Sequence, residues 1–171
     1  MSAEFAQRID RLGAAVLRAM TLASLDGVVA LEALVYPFPW SRNNFVDTLA
    51  AGYTAWTLNG IEGELLGYCI AMRGVEETHL LNITIAPAER RRGHARRVLG
   101  ELVRLCRQEG ARRLWLEVRE SNAEARATYV RLGFEHVAVR KGYYPAPEGR
   151  REDAVVMSLA IADWEAIDAL E

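Results

Sequence analysis

The spacing of apolar residues in the first fifty positions predicts a strand followed by two helices. Residues 14–21 fit a first strand. Apolar residues then recur at helical spacing from Ser24 and stop before Pro37, which predicts a first helix. Ser41 is a favourable N-cap for a second helix over roughly 42–51.

Three β-rich segments follow. The runs YTAWTLN and ELLGYCIAM are separated by GIEG, a spacing and composition that predict a hairpin. A third β-run, HLLNITI, covers residues 79–85 and is closed by Ala86-Pro87. Proline at this point favours a strand that ends before the next element begins.

The second half alternates helices with strands. An amphipathic helix of about 16 residues is predicted from residue 94, with Gly110 at its C-terminal stop. The strand RLWLEVR (113–119) comes next, and Ser121-Asn122 caps a short helix that ends at Gly133. The last strands are predicted near 136–140 and 154–161, around the loop KGYYPAPEGRRED. This order predicts an α/β fold around a mixed central sheet with flanking helices.

Length and composition fit one globular domain. The chain has 171 residues, of which 51% are hydrophobic and 26% are charged. No apolar run approaches the length of a membrane span, and the N-terminus lacks the pattern of a secretory signal. Cys69 and Cys106 lie in apolar segments, which favours buried thiols. We therefore expect a cytoplasmic protein without membrane association, and a monomer.

Charge is distributed unevenly along the chain, although the net charge is only −2. Residues 1–89 carry 5 basic and 10 acidic side chains, residues 90–119 carry 10 and 3, and residues 120–171 carry 6 and 10. Wrapping a nucleic-acid duplex usually requires a broad basic face. A cationic middle between acidic flanks suits a local anion site better.

The stretch PAERRRGHARRVLGELVRLC (87–106) combines a turn, a glycine and the start of a helix. The first N–H groups of a helix lack intrahelical partners, and the helix dipole favours an anion there. Gly93 permits close backbone approach, and the small Ala95 keeps the first turn open. The cationic side chains Arg91, Arg92 and Arg96 favour phosphate oxygens, and His94 lies within the same turn. Two alternatives stay open on this pattern alone: a solvated helix start and an RNA-binding segment.

The chain resembles the GCN5-related N-acetyltransferase (GNAT) superfamily, and within it the RimI-type ribosomal-protein-alanine N-acetyltransferases. Residues 90–95, RRRGHA, fit the family's Q/R-x-x-G-x-G/A loop. Further similar stretches are FPWS (38–41), LNITI (81–85), LWLEVRESNAEARATYVRLGF (114–134), YYP (143–145) and EDA (152–154). The resemblance implies an acetyltransferase domain over 14–171, preceded by an N-terminal extension over 1–13.

The resemblance also implies where acetyl-coenzyme A binds. In the family, the loop with Gly93 holds the pyrophosphate. The strand that contains Ile83, Thr84 and Ile85 pairs its backbone with the pantetheine amides. The next strand diverges to admit this arm, which gives a sheet with splayed central strands. Asn122 can cap its helix and, in the family, hydrogen-bonds the pantetheine.

Glu117 is the candidate general base. In RLWLEVR, Leu114, Leu116 and Val118 alternate onto one face, so Glu117 lies on the other. The resemblance places the base of the alanine acetyltransferases at this position. The alternative is a half-buried glutamate paired with Arg119 or with an arginine on a neighbouring strand.

Tyr129 is the candidate general acid. Its position on the apolar face of the short helix is also compatible with a core aromatic, whereas the resemblance assigns a tyrosine here to protonation of the coenzyme sulfur. The resemblance places Trp40 and Tyr143 around the acceptor peptide. The spacing of His79, His94 and His136 matches no ligand pattern, so we expect no metal.

Together these features predict acetyl transfer from acetyl-coenzyme A to the N-terminal alanine of a ribosomal protein (S18 in the family) in a ternary complex. An α-amino group, with a pKa of about 7.7–8.0, loses its proton more easily than lysine, at about 10.4. Other protein N-termini, lysine or a small amine remain as alternative acceptors. A non-catalytic coenzyme-binding module is the alternative of another class.

Overall fold

The computed structural model describes residues 8–9 and 15–164, and within them the chain forms eight strands and four α-helices. The strands are β1 (Arg8–Ile9), β2 (Val16–Ala19), β3 (Thr54–Asn59), β4 (Leu65–Arg73), β5 (Glu77–Ile85), β6 (Arg113–Arg119), β7 (Glu135–Pro145) and β8 (Arg151–Ala160). The helices are α1 (Leu25–Val35), α2 (Arg42–Ala50), α3 (His94–Gln108) and α4 (Ala123–Arg131). Apart from β1, the predicted extension 1–13 lies outside the described residues, and the domain boundary at residue 14 stays a prediction.

The strands form one mixed sheet in the order β1-β2-β3-β4-β5-β6-β8-β7. β5 pairs with β6 in parallel, whereas β6 with β8 and β7 with β8 are antiparallel. The predicted α/β class with a mixed sheet and flanking helices is confirmed. The described chain divides into a first compact unit, residues 15–71 with 82–98, and a second one, residues 72–81 with 99–164.

The first unit has an apolar core built from its two N-terminal helices and the adjoining strands. Ser41 caps α2 as predicted, because its hydroxyl accepts the Asn44 N–H at 3.3 Å. Phe45 of α2 meets Tyr68 of β4 edge to face at 5.7 Å. One buried hydrophobic cluster of this unit contains Met20, Leu25, Val28, Leu31, Phe45, Ala55, Tyr68 and Ile70.

The second unit contains the strand predicted to carry the base. β6 alternates as expected, since Leu114, Leu116 and Val118 are buried. Its parallel register with β5 begins at Glu77↔Arg113 and ends at Leu80↔Leu116. β5 continues to Ile85 and β6 to Arg119, so the pairing ends before either strand does, as diverging strands require. Among the described helices, none is long and apolar enough to span a membrane.

The last hairpin is longer than the sequence predicted. The segment 141–153 was expected to be a loop, but the pairing includes Tyr144↔Glu152 and Pro145↔Arg151. A register shift between Arg140 and Tyr144 accommodates extra residues, and Gly142 adopts a φ of +57° there. The Asp153 carboxylate accepts the Gly142 N–H at 2.8 Å. This side-chain contact, which strand propensity cannot indicate, lets the ladder resume beyond the bulge.

Candidate active site

The turn between β5 and α3 has the backbone expected of an anion site. After Ile85, the Ala86 N–H donates to the Leu66 carbonyl at 2.8 Å, and Pro87–Glu89 form a single 3₁₀ turn. Gly93 has a φ of +78°, and a Cβ atom there would meet no heavy atom within 4 Å. α3 begins at the next residue. The backbone in front of the helix N-terminus is therefore open, and only glycine adopts this conformation without strain.

Glu89 contacts an arginine and a histidine of this turn. Its Oε2 lies 3.3 Å from an Arg92 guanidinium nitrogen and 3.5 Å from Nε2 of His94. Sequence reasoning missed this carboxylate, although its i+3 spacing from Arg92 was a usable signal. Arg91 is exposed and has a φ of +60°. The side chains of Arg92 and His94 therefore both lie against Glu89.

Two arginines of α3 bind backbone carbonyls far away along the chain. The Arg97 guanidinium donates to the Ala15 carbonyl within the first unit. The Arg107 guanidinium donates to the Ile161 carbonyl at 3.1 Å within the second unit. Long arginine side chains cover apolar surface and satisfy distant carbonyls, which helical periodicity does not reveal.

The end of β5 is anchored to α1 and lies close to β4. Thr84 is buried, and its Oγ1 lies 2.9 Å from the Tyr36 hydroxyl. Tyr36 also donates to the Ile83 carbonyl at 3.4 Å. A Cβ atom at Gly67 of β4 would come within 2.5 Å of the Thr84 carbonyl oxygen. Glycine at this position thus permits the close approach of the two strands.

Glu117 is part of a side-chain cluster in the second unit. Its Oε1 accepts a hydrogen bond from the Arg140 guanidinium at 2.8 Å, and the side chain is 20% exposed. The partner is therefore an arginine of β7, whereas Arg119 pairs with Glu152 at 3.1 Å. The Arg140 guanidinium also lies over the Tyr143 ring, 4.7 Å from its centroid. The alternative of a half-buried glutamate paired with an arginine of another strand is therefore observed, and Arg140 joins the candidate base to the candidate acceptor-binding tyrosine.

The backbone of Glu117 is held by the neighbouring tyrosine. Tyr144 donates its hydroxyl hydrogen to the Glu117 carbonyl at 3.1 Å. The rings of Tyr143 and Tyr144 meet edge to face at 4.9 Å. Tyr143 is 41% exposed, so part of its ring is accessible to a ligand. The extension of β7 past its predicted end brings Tyr144 to β6 and Tyr143 beside Arg140.

Helix α4 carries the other two candidates of the second unit. Asn122 caps it, because Oδ1 accepts the Ala125 N–H at 3.2 Å. Tyr129 is half-buried, and its ring packs on Phe134 at 5.5 Å. Both local alternatives, a cap and a packed aromatic, are therefore observed.

Glu152 holds the loop that precedes α4. It accepts the Ser121 N–H at 2.7 Å and pairs with Arg119. Burial raises the pKa of Glu152, but the hydrogen bonds from Ser121 and the Arg119 guanidinium outweigh it and hold the pKa below its ordinary value. The loop ahead of α4 is therefore tied to β6 and β8 by one ionised carboxylate.

Trp40 lies in the first unit between α1 and α2. Its ring packs on Phe45 at 5.5 Å, and its backbone N–H donates to Oε1 of Glu32 at 2.8 Å. The ring is half-buried against the apolar core. The structure thus places one candidate acceptor-binding residue on the core of the first unit and the other, Tyr143, in the cluster around Glu117.

A strand, an open glycine turn, a helix N-terminus and a parallel register that ends early together define an acyltransferase of the GNAT fold. The model of the Acetyltransferase (GNAT) family matches residues 25–134. The chain belongs to this family. The matched range contains every candidate site residue except Tyr143.

Individual proteins agree with this assignment. The chain is 34% identical over 146 residues to the [ribosomal protein bS18]-alanine N-acetyltransferase of Escherichia coli K12, covering 85% of this chain and 97% of that protein. It is 32% identical over 148 residues to a putative enzyme of the same name from Bacillus subtilis, covering 86% and 96%. The crystal structure of the E. coli ribosomal-protein-S18-alanine N-acetyltransferase superimposes with a TM-score of 0.78 at 33% identity, over 86% of this chain and 94% of that one.

Proposed function

We propose that this protein transfers the acetyl group of acetyl-coenzyme A to the N-terminal alanine of a ribosomal protein. The observation that carries the proposal is the 34% identity to the E. coli [ribosomal protein bS18]-alanine N-acetyltransferase, which extends over 97% of that enzyme's length. The similarity therefore spans both the segment before α3 and the segment that carries Glu117 and Tyr129.

The turn before α3 is suited to the diphosphate of the coenzyme. The open space at Gly93 accepts a ligand against the backbone, and the N–H groups of His94, Ala95 and Arg96 begin the helix. Arg91 and Arg92 contribute charge at the same turn. The backbone of Ile83, Thr84 and Ile85 lies beyond the last β5–β6 pair and offers amide groups for the pantetheine arm.

Bound acetyl-coenzyme A supplies an activated acyl thioester, and the side chains of this protein handle the protons. Glu117 accepts the proton that the acceptor amine loses as its nitrogen forms the new bond to the acetyl carbon. Tyr129 donates a proton to the sulfur as the carbon–sulfur bond breaks. Asn122 donates from its amide to the pantetheine while its carbonyl oxygen caps α4.

The acceptor side rests on Trp40 and Tyr143, together with the chemistry of the amine. A carboxylate base deprotonates an α-ammonium group more readily than a lysine ammonium group, because the α-amino pKa is the lower of the two. The proposal therefore favours a protein N-terminus over lysine or a small amine as acceptor.

A peptide panel tests the acceptor assignment. The purified protein is incubated with acetyl-coenzyme A and hexapeptides that begin with alanine, methionine or N-acetylated alanine, the last of which also carries an internal lysine. Thiol release and peptide mass are followed together. We expect acetylation of the alanine peptide only. Acetylation of the blocked peptide at lysine, or equal rates on all free N-termini, would contradict the assignment.

A further inference from the structure

A buried carboxylate of α1 lies at the centre of a hydrogen-bond chain that the transfer chemistry above does not use. Glu32 is 2% exposed, although it lies in a helix whose other buried residues are apolar. Burial of an ionisable group is unfavourable unless hydrogen bonds compensate. An apolar residue at this position would pack without that cost. The hydrogen-bond partners of Glu32 therefore indicate what its carboxylate does.

Each oxygen of Glu32 has a defined partner. Oε1 accepts the backbone N–H of Trp40 at 2.8 Å. Oε2 accepts the Tyr68 hydroxyl and also the side-chain amide of Asn82, the latter at 3.2 Å. Burial raises the pKa of Tyr68, so that its hydroxyl stays protonated and able to donate. One carboxylate therefore joins α1, the segment before α2, β4 and β5.

The chain of hydrogen bonds continues from Asn82 along β5. Its Oδ1 accepts the Thr84 hydroxyl at 3.2 Å, and Thr84 Oγ1 lies 2.9 Å from the Tyr36 hydroxyl. The last link returns to the residue that follows α1, since Tyr36 also contacts the Ile83 carbonyl. All of these contacts lie within the first unit.

We infer that Glu32 is a positioning residue that sets the placement of the Trp40 backbone and of the β5 segment 83–85 together. The inference rests on the proposed function, in which these two segments hold the acceptor peptide and the pantetheine arm. A displacement of about 1 Å at either segment is enough to reduce the rate substantially. Glu32 itself touches neither substrate in this account.

Reversing one hydrogen bond tests the inference without removing any atom contact. In Asn82→Asp, two carboxylates face each other in a buried position, which is strongly unfavourable. In the double variant Glu32→Gln with Asn82→Asp, the glutamine amide donates to the aspartate and to the Tyr68 oxygen, while Gln Oε1 still accepts the Trp40 N–H. The double variant keeps the net charge of the wild type and restores a complementary pair.

We expect Asn82→Asp to lower kcat/KM for the alanine peptide by about tenfold or more and to weaken acetyl-coenzyme A binding measured by calorimetry. The double variant is expected to recover most of both losses. Tyr36→Phe, which removes the outer links to Thr84 and to the Ile83 carbonyl, should weaken coenzyme binding with little change in thermal stability. If Asn82→Asp does not fold, the coenzyme affinity of Tyr36→Phe tests the inference instead.

Thr48→Val is the matched control, because it removes a buried hydrogen bond of the first unit that lies outside this network, from the Thr48 hydroxyl to the Asn44 carbonyl at 2.8 Å. It should lower the free energy of unfolding and leave kcat/KM and the dissociation constant for acetyl-coenzyme A near wild type. The inference is overturned if Asn82→Asp and Tyr36→Phe change only stability, as Thr48→Val does. A wild-type protein that binds acetyl-coenzyme A but acetylates no peptide would instead refute the proposed function, and the coenzyme-binding measurements would still test Glu32.

Discussion

Asn122 combines two roles whose chemical requirements differ. Its carbonyl oxygen caps α4, whereas the proposed coenzyme contact needs its amide hydrogens. Aspartate caps a helix as well as asparagine does but cannot donate.

We therefore expect Asn122→Asp to keep the wild-type free energy of unfolding while raising the KM for acetyl-coenzyme A by about tenfold, the loss expected for one hydrogen bond. Asn122→Ala should show the same KM effect and also lose about 1 kcal/mol of stability in denaturant titrations. An unchanged KM in both variants would leave Asn122 as a cap only.

The site residues that the sequence identified and those that it did not differ in how far away along the chain their contact partners lie. The two faces of β6 follow from a period of two, so the position of Glu117 was predictable. Its partner Arg140 is 23 residues away and is brought there by β8 and β7, which no local pattern encodes. Glu32 could have been found, since it lies four residues after Val28 on the apolar face of α1. A charged residue in that position signals a buried network.

Helix α3 has a glycine of positive φ beyond each end, which offers a matched comparison. Gly93 has a φ of +78° and Gly110 a φ of +77°, and a Cβ atom at either would meet nothing within 4 Å. Substitution by alanine therefore imposes the same backbone strain at both ends, of about 1 kcal/mol.

We expect both alanine variants to lose similar stability in thermal or denaturant unfolding. Only Gly93→Ala should also raise the dissociation constant for coenzyme A, by about tenfold or more, because its methyl group would occupy the space proposed for the diphosphate. Equal coenzyme affinity of the two variants would show that the turn before α3 does not bind the diphosphate.

The connection among β6, β8 and the start of α4 depends on an ionised Glu152. Because its folded-state pKa is lowered, its contribution to stability is present above the ordinary glutamate value of 4.5 and is lost as the pH falls through the folded-state pKa. We expect Glu152→Gln to reduce the free energy of unfolding by about 1 kcal/mol at neutral pH, after allowance for its partial exposure.

That difference should shrink as the pH is lowered in denaturant titrations, and the variant and wild type should converge in acid. Glu148→Gln is the control, since Glu148 also pairs with an arginine of the same hairpin but its side chain is 77% exposed. A pH-independent effect of Glu152→Gln would mean that its ionisation does not stabilise the hairpin.

Considered as a whole, the chain shows how far order along the sequence determines a fold. The alternation of strands and helices after residue 77 was predictable because each element has a clear period and a stop at Pro87, Gly110 or Gly133. The final hairpin was not, because an Asp153 side chain bonding to Gly142 sustains the pairing across a bulge. The choice of acceptor is likewise determined by side chains from distant segments, so the assignment of the acceptor rests on similarity to relatives.

In the proposed reaction, Glu117 is the base that enables acetyl transfer to an N-terminal alanine. Its most direct measurement is steady-state acetylation of an alanine-first peptide, followed by mass spectrometry, for the wild type and Glu117→Gln, with coenzyme affinity measured in parallel. Glu120→Gln, with the same charge change just beyond β6, is the control. We expect kcat to be lower by about a hundredfold or more in Glu117→Gln alone, with unchanged coenzyme affinity. Wild-type turnover in Glu117→Gln, or no acetylated peptide with the wild type, would contradict it.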